Sequence, residues 1–211
     1  MNRHAMSPAR PLAAALAASL LASVPLALLA GCGAGASDIV GEAPLAGAQI
    51  GGPFELVNSE GETVRWSDFD GKYRIVYFGY AYCPDVCPTE VQRMMQGYNR
   101  FKQAEPALAA EVQPLFITID PARDTPKVVG EFTSAFSEDL VGLTGTAEQV
   151  DQAAKAFAVY YSKGEEGAGG GYMMDHSRTA FLMGRDGEPI ALLPVDQGPE
   201  AVAAELQRWV S

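Results

Sequence analysis

Thiols and imidazoles are scarce in this chain: its 211 residues carry three cysteines and two histidines. So few cysteines exclude a fold stapled by several disulfides. Cations are also short, with 15 Lys and Arg against 26 Asp and Glu and a formal net charge of −11. That balance argues against nucleic acid as a partner, because phosphate binding needs clustered Lys and Arg. It fits solubility or a basic patch on a partner. The Gly-rich stretch from Gly167 to Gly171 has no Lys-Ser/Thr after it, so it is not a phosphate loop. It reads as a loop or a spacer ahead of His176. No internal repeat is present, which excludes solenoids and propellers.

The N-terminus reads as targeting, not fold. Arg3, His4 and Arg10 make a positive start, and an apolar stretch from Leu12 to Ala30, interrupted by Pro25, ends at Leu29-Ala30-Gly31-Cys32. That tetrapeptide resembles the lipobox of bacterial lipoproteins, in which the cysteine becomes the lipidated first residue. An ordinary cleaved signal peptide and an uncleaved anchor remain as alternatives, since roughly 18 apolar residues can span a bilayer. Each of the three carries the body of the protein out of the cytoplasm. Removal of the 31 residues ahead of Cys32 takes the 211-residue chain to 180 and, with both leader arginines, the net charge from −11 to −13. This size fits one domain with one core. The expected organisation is a lipoprotein signal peptide over 1–31, a flexible Gly/Ala-rich tether over 32–52 and a domain over 53–211.

Without the leader the chain keeps one histidine, His176, and two thiols beside Cys32: those of Cys83-Pro84-Asp85-Val86-Cys87-Pro88. On a helix, positions i and i+4 put Cβ atoms about 5–6 Å apart. Two sulfurs on one metal at ~2.3 Å each fit that spacing. A disulfide needs Cβ atoms about 3.5–4.5 Å apart, and fits if the first turn is irregular. A bridge closing so short a loop adds little chain-entropy stabilisation, which favours a functional pair over a staple. Pro88 places the helix start near Cys87, where unpaired N–H groups stabilise a thiolate.

Around this motif the pattern alternates strands and helices. Residues 54–66 read as a β-hairpin turning at Glu60-Gly61. Arg74–Gly79 and Val112–Ile119 read as buried strands. Thr89–Phe101 is helical, with Val91, Met94, Met95, Tyr98 and Phe101 on one stripe. Thr125-Pro126 starts a helix running to about Phe136. Leu140–Leu143 is a short strand, and Thr146 to Gln149 forms a capping box opening a helix to about Val159. Thr179–Met183 and Pro189–Leu193 are antiparallel strands around the turn Arg185–Glu188, and Ala201–Val210 is a closing helix. The result is an α/β fold: a mostly parallel central sheet with an antiparallel end and an N-terminal β-hairpin. A thiol pair where the first buried strand meets its helix matches the thioredoxin plan. In that plan the loop before Thr179–Met183 faces the dithiol, which sets His176 or Ser177 opposite the sulfurs.

Other residues are open to two readings. Asp175 is either an orienting or charge-tuning partner of the imidazole or a solvated loop carboxylate, and Asp85 is equally ambiguous. Met173 and Met174 read as packing rather than thioether ligands, and Met94 and Met95 as core or groove. In Asp120-Pro121-Ala122-Arg123-Asp124-Thr125-Pro126, Arg123 pairs with Asp120 or Asp124 ahead of the helix start, or the segment forms a site rim or docking element.

With Cys83–Pro88, Asp120–Pro126 and Asp175-His176-Ser177 in this order, the chain resembles the Sco/SenC family over roughly residues 50–210. The resemblance implies a thioredoxin-like fold, a membrane anchor, and one copper ion, Cu(I) or Cu(II), bound by Cys83, Cys87 and His176. It also implies assistance in assembling the dinuclear copper centre of cytochrome c oxidase, as a copper donor or as a thiol reductant of its subunit II. The implied partners are that subunit or another copper acceptor, a copper-donating chaperone, a thioredoxin-like reductant and the membrane, on the extracytoplasmic face of a bacterial envelope. Two departures are visible. Met174 precedes Asp175-His176-Ser177 where family sequences often have Val, and a lipobox stands where many members have a transmembrane helix. The donor chemistry agrees: two thiolates and an imidazole suit Cu(I), while zinc accepts the same trio plus water. Copper chaperone and thiol–disulfide oxidoreductase, with Cys83 and Cys87 as the redox dithiol, remain as two readings. A peroxidase is weaker, because no dedicated Thr/Arg constellation is visible.

Overall fold

The computed structural model describes residues 41–167 and 171–211. The signal peptide, Cys32 and the first part of the expected tether lie outside the described residues. Among the described residues no helix is long and apolar enough to cross a membrane.

The chain runs β1 (Glu55–Val57), β2 (Thr63–Arg65), β3 (Tyr73–Gly79), α1 (Val86–Ala104), α2 (Pro106–Ala109), β4 (Val112–Thr118), α3 (Pro126–Ser134) and β5 (Val141–Leu143). It continues with α4 (Ala147–Ala156), β6 (Tyr161–Lys163), β7 (Met174–His176), β8 (Ala180–Met183), β9 (Pro189–Leu193) and α5 (Pro199–Trp209). The main sheet has the order β5-β4-β3-β8-β9. β3 is parallel to β4 and β4 to β5, whereas β8 runs antiparallel to both β3 and β9. This is a thioredoxin-like α/β fold, with the antiparallel end where the sequence places it.

All seven residues of β3 are buried, as a strand covered on both faces requires. Its side chains alternate between two cores. Ile75 and Tyr77 join Val91, Met94, Met95, Tyr98 and Phe101 of α1, so the expected helical stripe is the buried one. Val76 and Phe78 join the opposite core, which also holds both motif cysteines. α1 and α5 cross closely: a Cβ on Gly97 would stand 2.5 Å from Val202 Cβ. That approach explains a glycine in mid-helix despite its conformational cost.

Several boundaries differ from expectation. Residues 41–52 are not slack. Leu45 N–H bonds to the Ile190 carbonyl at 3.0 Å and Gly51 N–H to the Ala156 carbonyl at 2.8 Å. Ala43 and Ile50 pack against the two cores, so apolar contacts hold this stretch on the domain. α4 ends at Ala156 rather than near Val159, because Ala158 takes a left-handed conformation (φ 52°) and the Val159 N–H turns back to the Ala154 carbonyl. The short α2 and the ribbon β6–β7 were not expected. Strands of three residues show no period, and ten residues separate this pair.

Candidate metal and dithiol site

The site lies at the C-terminal end of β3. Gly79 closes the strand, and a Cβ there would sit 3.3 Å from Cys87 Sγ and 2.9 Å from the Tyr77 ring, so glycine makes room for the thiol. The following turn is fixed from below. Asp124 accepts hydrogen bonds from the Ala81 N–H (2.9 Å) and the Thr118 hydroxyl (2.6 Å). Burial raises the Asp124 pKa against those two donors, and its other oxygen has no partner among the described residues. Thr125 caps α3, with Pro126 as its first residue. Arg123 pairs with Asp120, as the sequence suggests. It also donates to the Tyr172 carbonyl at 2.9 Å and stacks on the Tyr172 ring at 3.7 Å, while the Tyr172 hydroxyl donates to Asp120 at 2.8 Å. Residues 120–124 therefore brace the turn before the cysteines and the segment before the histidine.

Cys83 and Cys87 are both free and both buried. α1 begins at Val86, and the Cys87 N–H points at Cys83 Sγ at 3.4 Å. Burial disfavours a Cys83 thiolate, but the Asp85 and Cys87 N–H groups and the Cys87 and Tyr80 side chains outweigh it and hold the pKa below the usual thiol value. Cys87 is the opposite case, with burial pushing its pKa well up. The two thiols thus sit in different surroundings: hydrogen-bond donors face Cys83, and burial dominates at Cys87.

His176 ends β7 and faces the dithiol, with Nε2 at 3.3 Å from Cys87 Sγ. Its Nδ1 lies 2.8 Å from the Ser177 carbonyl. A carbonyl only accepts, so Nδ1 carries the proton and the Nε2 lone pair points at Cys87. Burial, the largest influence, lowers the His176 pKa and keeps the imidazole neutral, as a ligand must be. The ring stands edge-on to Tyr77 and Tyr80, with centroids at 6.4 and 6.1 Å.

Asp175 does not orient this ring, although its charge acts on it and raises the His176 pKa against the effect of burial. It is exposed on the other face of β7, in register with Ser162, and the Ser177 carbonyl takes the orienting role instead. Strand alternation is the reason: neighbours in a strand point to opposite faces. Asp85 is exposed at the α1 N-cap and contributes no side-chain cap. Met174 is buried packing, whereas Met173 is half exposed.

Sequence reasoning missed Glu90. It is 2% exposed on α1, accepts from the Tyr77 hydroxyl at 2.8 Å and from Arg178 Nε at 2.8 Å, and so ties the dithiol helix to the residues after His176. The signal available was a lone acid on the apolar side of α1, one turn from Cys87.

Two donors bound to one ion at about 2.0–2.3 Å stand roughly 3.5 Å apart. Cys87 and His176 are at that spacing. Among the described residues no three His, Cys, Asp or Glu side chains form a ready metal cage. Cys83, whose Sγ accepts the Cys87 N–H at 3.4 Å, would be the third donor. The residues therefore fit a soft, three-donor ion and also a closing disulfide.

Fold and pocket together define a thioredoxin-like domain whose dithiol is faced by a histidine. The SCO1/SenC family model matches residues 42–211, and the chain belongs to that family. It is 42% identical over 139 residues to the mitochondrial protein SCO1 homolog of Homo sapiens, covering 66% of this chain and 46% of the relative, so it spans about half that protein's length. It is 41% identical over 161 residues to protein SenC of Rhodobacter capsulatus, covering 75% of this chain and 69% of SenC. The copper-bound structure of Bradyrhizobium japonicum ScoI is similar at TM-score 0.68 and 34% identity, over 76% of this chain and 99% of that one. Copper-bound yeast Sco1 is similar at TM-score 0.70 and 34% identity, over 77% and 88%.

Proposed function

We propose that this chain carries copper outside the cytoplasm and delivers it to the dinuclear copper site of cytochrome c oxidase, with subunit II as the acceptor. One ion is the cargo, and Cys83, Cys87 and His176 are its ligands. The observation that carries the reading is the His176 Nε2 lone pair aimed at Cys87 Sγ from 3.3 Å. A dithiol that only exchanged disulfides would not need that imidazole. Copper-bound ScoI and copper-bound yeast Sco1 support the choice of ion. Irving–Williams ordering also favours copper over zinc wherever copper is available. Loading releases the thiol protons, because thiolates are the ligands.

Cys32, lipidated after removal of residues 1–31, holds the domain at the membrane of a bacterial envelope. Several acyl chains give a stable anchor where one is marginal. The anchor raises the effective concentration of the pocket near a membrane-bound acceptor. Mass analysis of the mature N-terminus tests this: acylated Cys32 is expected, and a free N-terminus elsewhere contradicts it.

The asymmetry of the two thiols favours a second activity of the same pair. The Cys83 thiolate attacks a partner disulfide, forms a mixed disulfide and releases one partner thiolate. Cys87, once deprotonated, attacks Cys83 and releases the second. The partner gains two electrons and the chain keeps a Cys83–Cys87 disulfide. A subunit II oxidised at its copper-site cysteines is the matching substrate, and a thioredoxin-like reductant would reset the pair.

The test of the main reading is copper retention. The reduced protein is expected to keep one copper ion through desalting and, with Cu(II), to show a thiolate-to-copper charge-transfer band. No band and no retained copper would end the carrier reading.

A further inference from the structure

Five methionines are described between Met94 and Met183, and four of them are packing. Met94, Met95 and Met183 are at most 1% exposed and Met174 is 9% exposed. Met173 differs, at 51% exposed. Leaving such a side chain in water forgoes much of the roughly 1.5–3 kcal/mol that its burial would contribute. Packing therefore does not account for its position. Its backbone is fixed, because the Met173 carbonyl accepts the Gly164 N–H at 2.8 Å. Its sulfur turns back toward the pocket and lies 3.9 Å from the Tyr80 hydroxyl.

That hydroxyl connects three groups. It accepts the Met174 N–H at 3.3 Å, it hydrogen-bonds the Cys83 sulfur, and it lies 3.9 Å from the Met173 thioether. The same Tyr80 ring stands edge-on to His176. Moving outward from the dithiol, the order is Cys83, Tyr80 hydroxyl, Met173 sulfur. A thioether is a soft donor suited to Cu(I), and it carries no proton to lose, so it accepts the ion without acid–base change. Methionine has three rotatable bonds, so an exposed one can follow an ion inward.

We propose that Met173 is a transient Cu(I) ligand at the rim of the pocket, holding the ion as it passes to and from Cys83; the inference rests on the copper-carrier reading. In arrival, a Cu–S bond to Met173 forms first. A bond to the Cys83 thiolate then forms, and the thioether is released as Cys87 and His176 complete the set. Departure runs the same steps in reverse. The oxidation state does not change, and the only protons moved are those of the thiols. Met173 thus sets how fast copper moves and leaves the affinity of the loaded state to the other three donors.

The full-length reduced chain in detergent, labelled with carbon-13 at the methionine methyl groups, tests this with Cu(I) as the only probe. Met173→Leu assigns the Met173 signal and is safe for folding because the side chain is half exposed. At less than one equivalent of Cu(I), the Met173 methyl signal should shift or broaden while those of Met94 and Met95 stay. In stopped flow, a chromogenic Cu(I) chelator should remove copper about tenfold more slowly from Met173→Leu than from the wild type, a barrier change of about 1.4 kcal/mol. The equilibrium affinities should agree within about threefold. An unmoved Met173 methyl or equal removal rates overturns the proposal while leaving the carrier reading intact. A wild-type chain that retains no Cu(I) overturns both.

Discussion

The two arms of the pocket are built differently. The thiol arm grows out of the core: β3 is buried on both faces, α1 packs its full apolar stripe, and Cys87 is inaccessible. The histidine arm is a ribbon of two three-residue strands outside the main sheet. Contacts from several elements hold it there, among them the Tyr172 hydroxyl on Asp120 and the Met174 N–H on Tyr80. The Ser177 N–H bonds to the Tyr160 carbonyl at 2.9 Å, Arg123 stacks on Tyr172, and Arg178 pairs with Glu90. One arm is thus held by the core and the other by contacts between residues distant in sequence.

Removing a ligand should break the comparison most severely. Cys83→Ser, Cys87→Ser or His176→Ala should each weaken copper binding by about two to three orders of magnitude, one donor's share of the roughly 10–16 kcal/mol that a four-ligand thiolate site can supply. Only the cysteine changes should abolish disulfide closure. Competition against a calibrated chelator, with thiol counting, separates the cases. Unchanged affinity in His176→Ala would remove the histidine arm from the site.

Loosening the brace should cost less. Arg178→Ala leaves Glu90, 2% exposed, with the Tyr77 hydroxyl as its remaining partner. Breaking a buried pair costs about 3–5 kcal/mol. Arg178 is 53% exposed, so solvent screening brings the expected loss to about 1–2 kcal/mol in denaturant unfolding. Copper affinity should fall with it and disulfide closure should not. Equal loss of both would mean that the brace serves the whole fold rather than the histidine arm.

Gly97→Ala sharpens the contrast from the other side. It drives a methyl group into Val202 at the α1–α5 crossing, far along the helix from the thiols, and should cost about 1–3 kcal/mol of stability. Copper affinity should hold, because Cys87 lies in the first turn of α1, well before Gly97, and Cys83 precedes the helix.

The smallest expected effect is one of pH. Burial raises the Asp124 pKa, so the folded chain binds this proton more tightly than the unfolded one. Its contribution to stability is therefore greatest at low pH. It declines as pH rises from the ordinary carboxylate value through the raised one, and is flat above. Asp124→Asn should remove that decline from a series of unfolding curves, and an unchanged slope would show that the carboxylate is not its source.

The thiol arm was the legible one. Long buried strands, a helical stripe of five residues and the caps at Thr125 and Thr146 all leave periodic or positional marks, and the structure has them where those marks lie. The Cys83/Cys87 pair and His176 were legible by scarcity. The histidine arm was legible only as a position. Its ribbon is too short to show a period, and the braces pair residues distant in sequence: Arg123 with Tyr172, Glu90 with Arg178. Asp175 looked suited to orient the ring because it adjoins His176, but adjacency in a strand puts it on the wrong face. The exposure of Met173 depends on the same ribbon and has no mark in the sequence.

X-ray absorption at the copper edge of the reduced, Cu(I)-loaded protein tests the central claim most directly. The account predicts a first shell of two sulfurs and one imidazole nitrogen in the wild type, reduced to sulfur alone in His176→Ala. A wild-type shell without the imidazole, or one unchanged by His176→Ala, would contradict it.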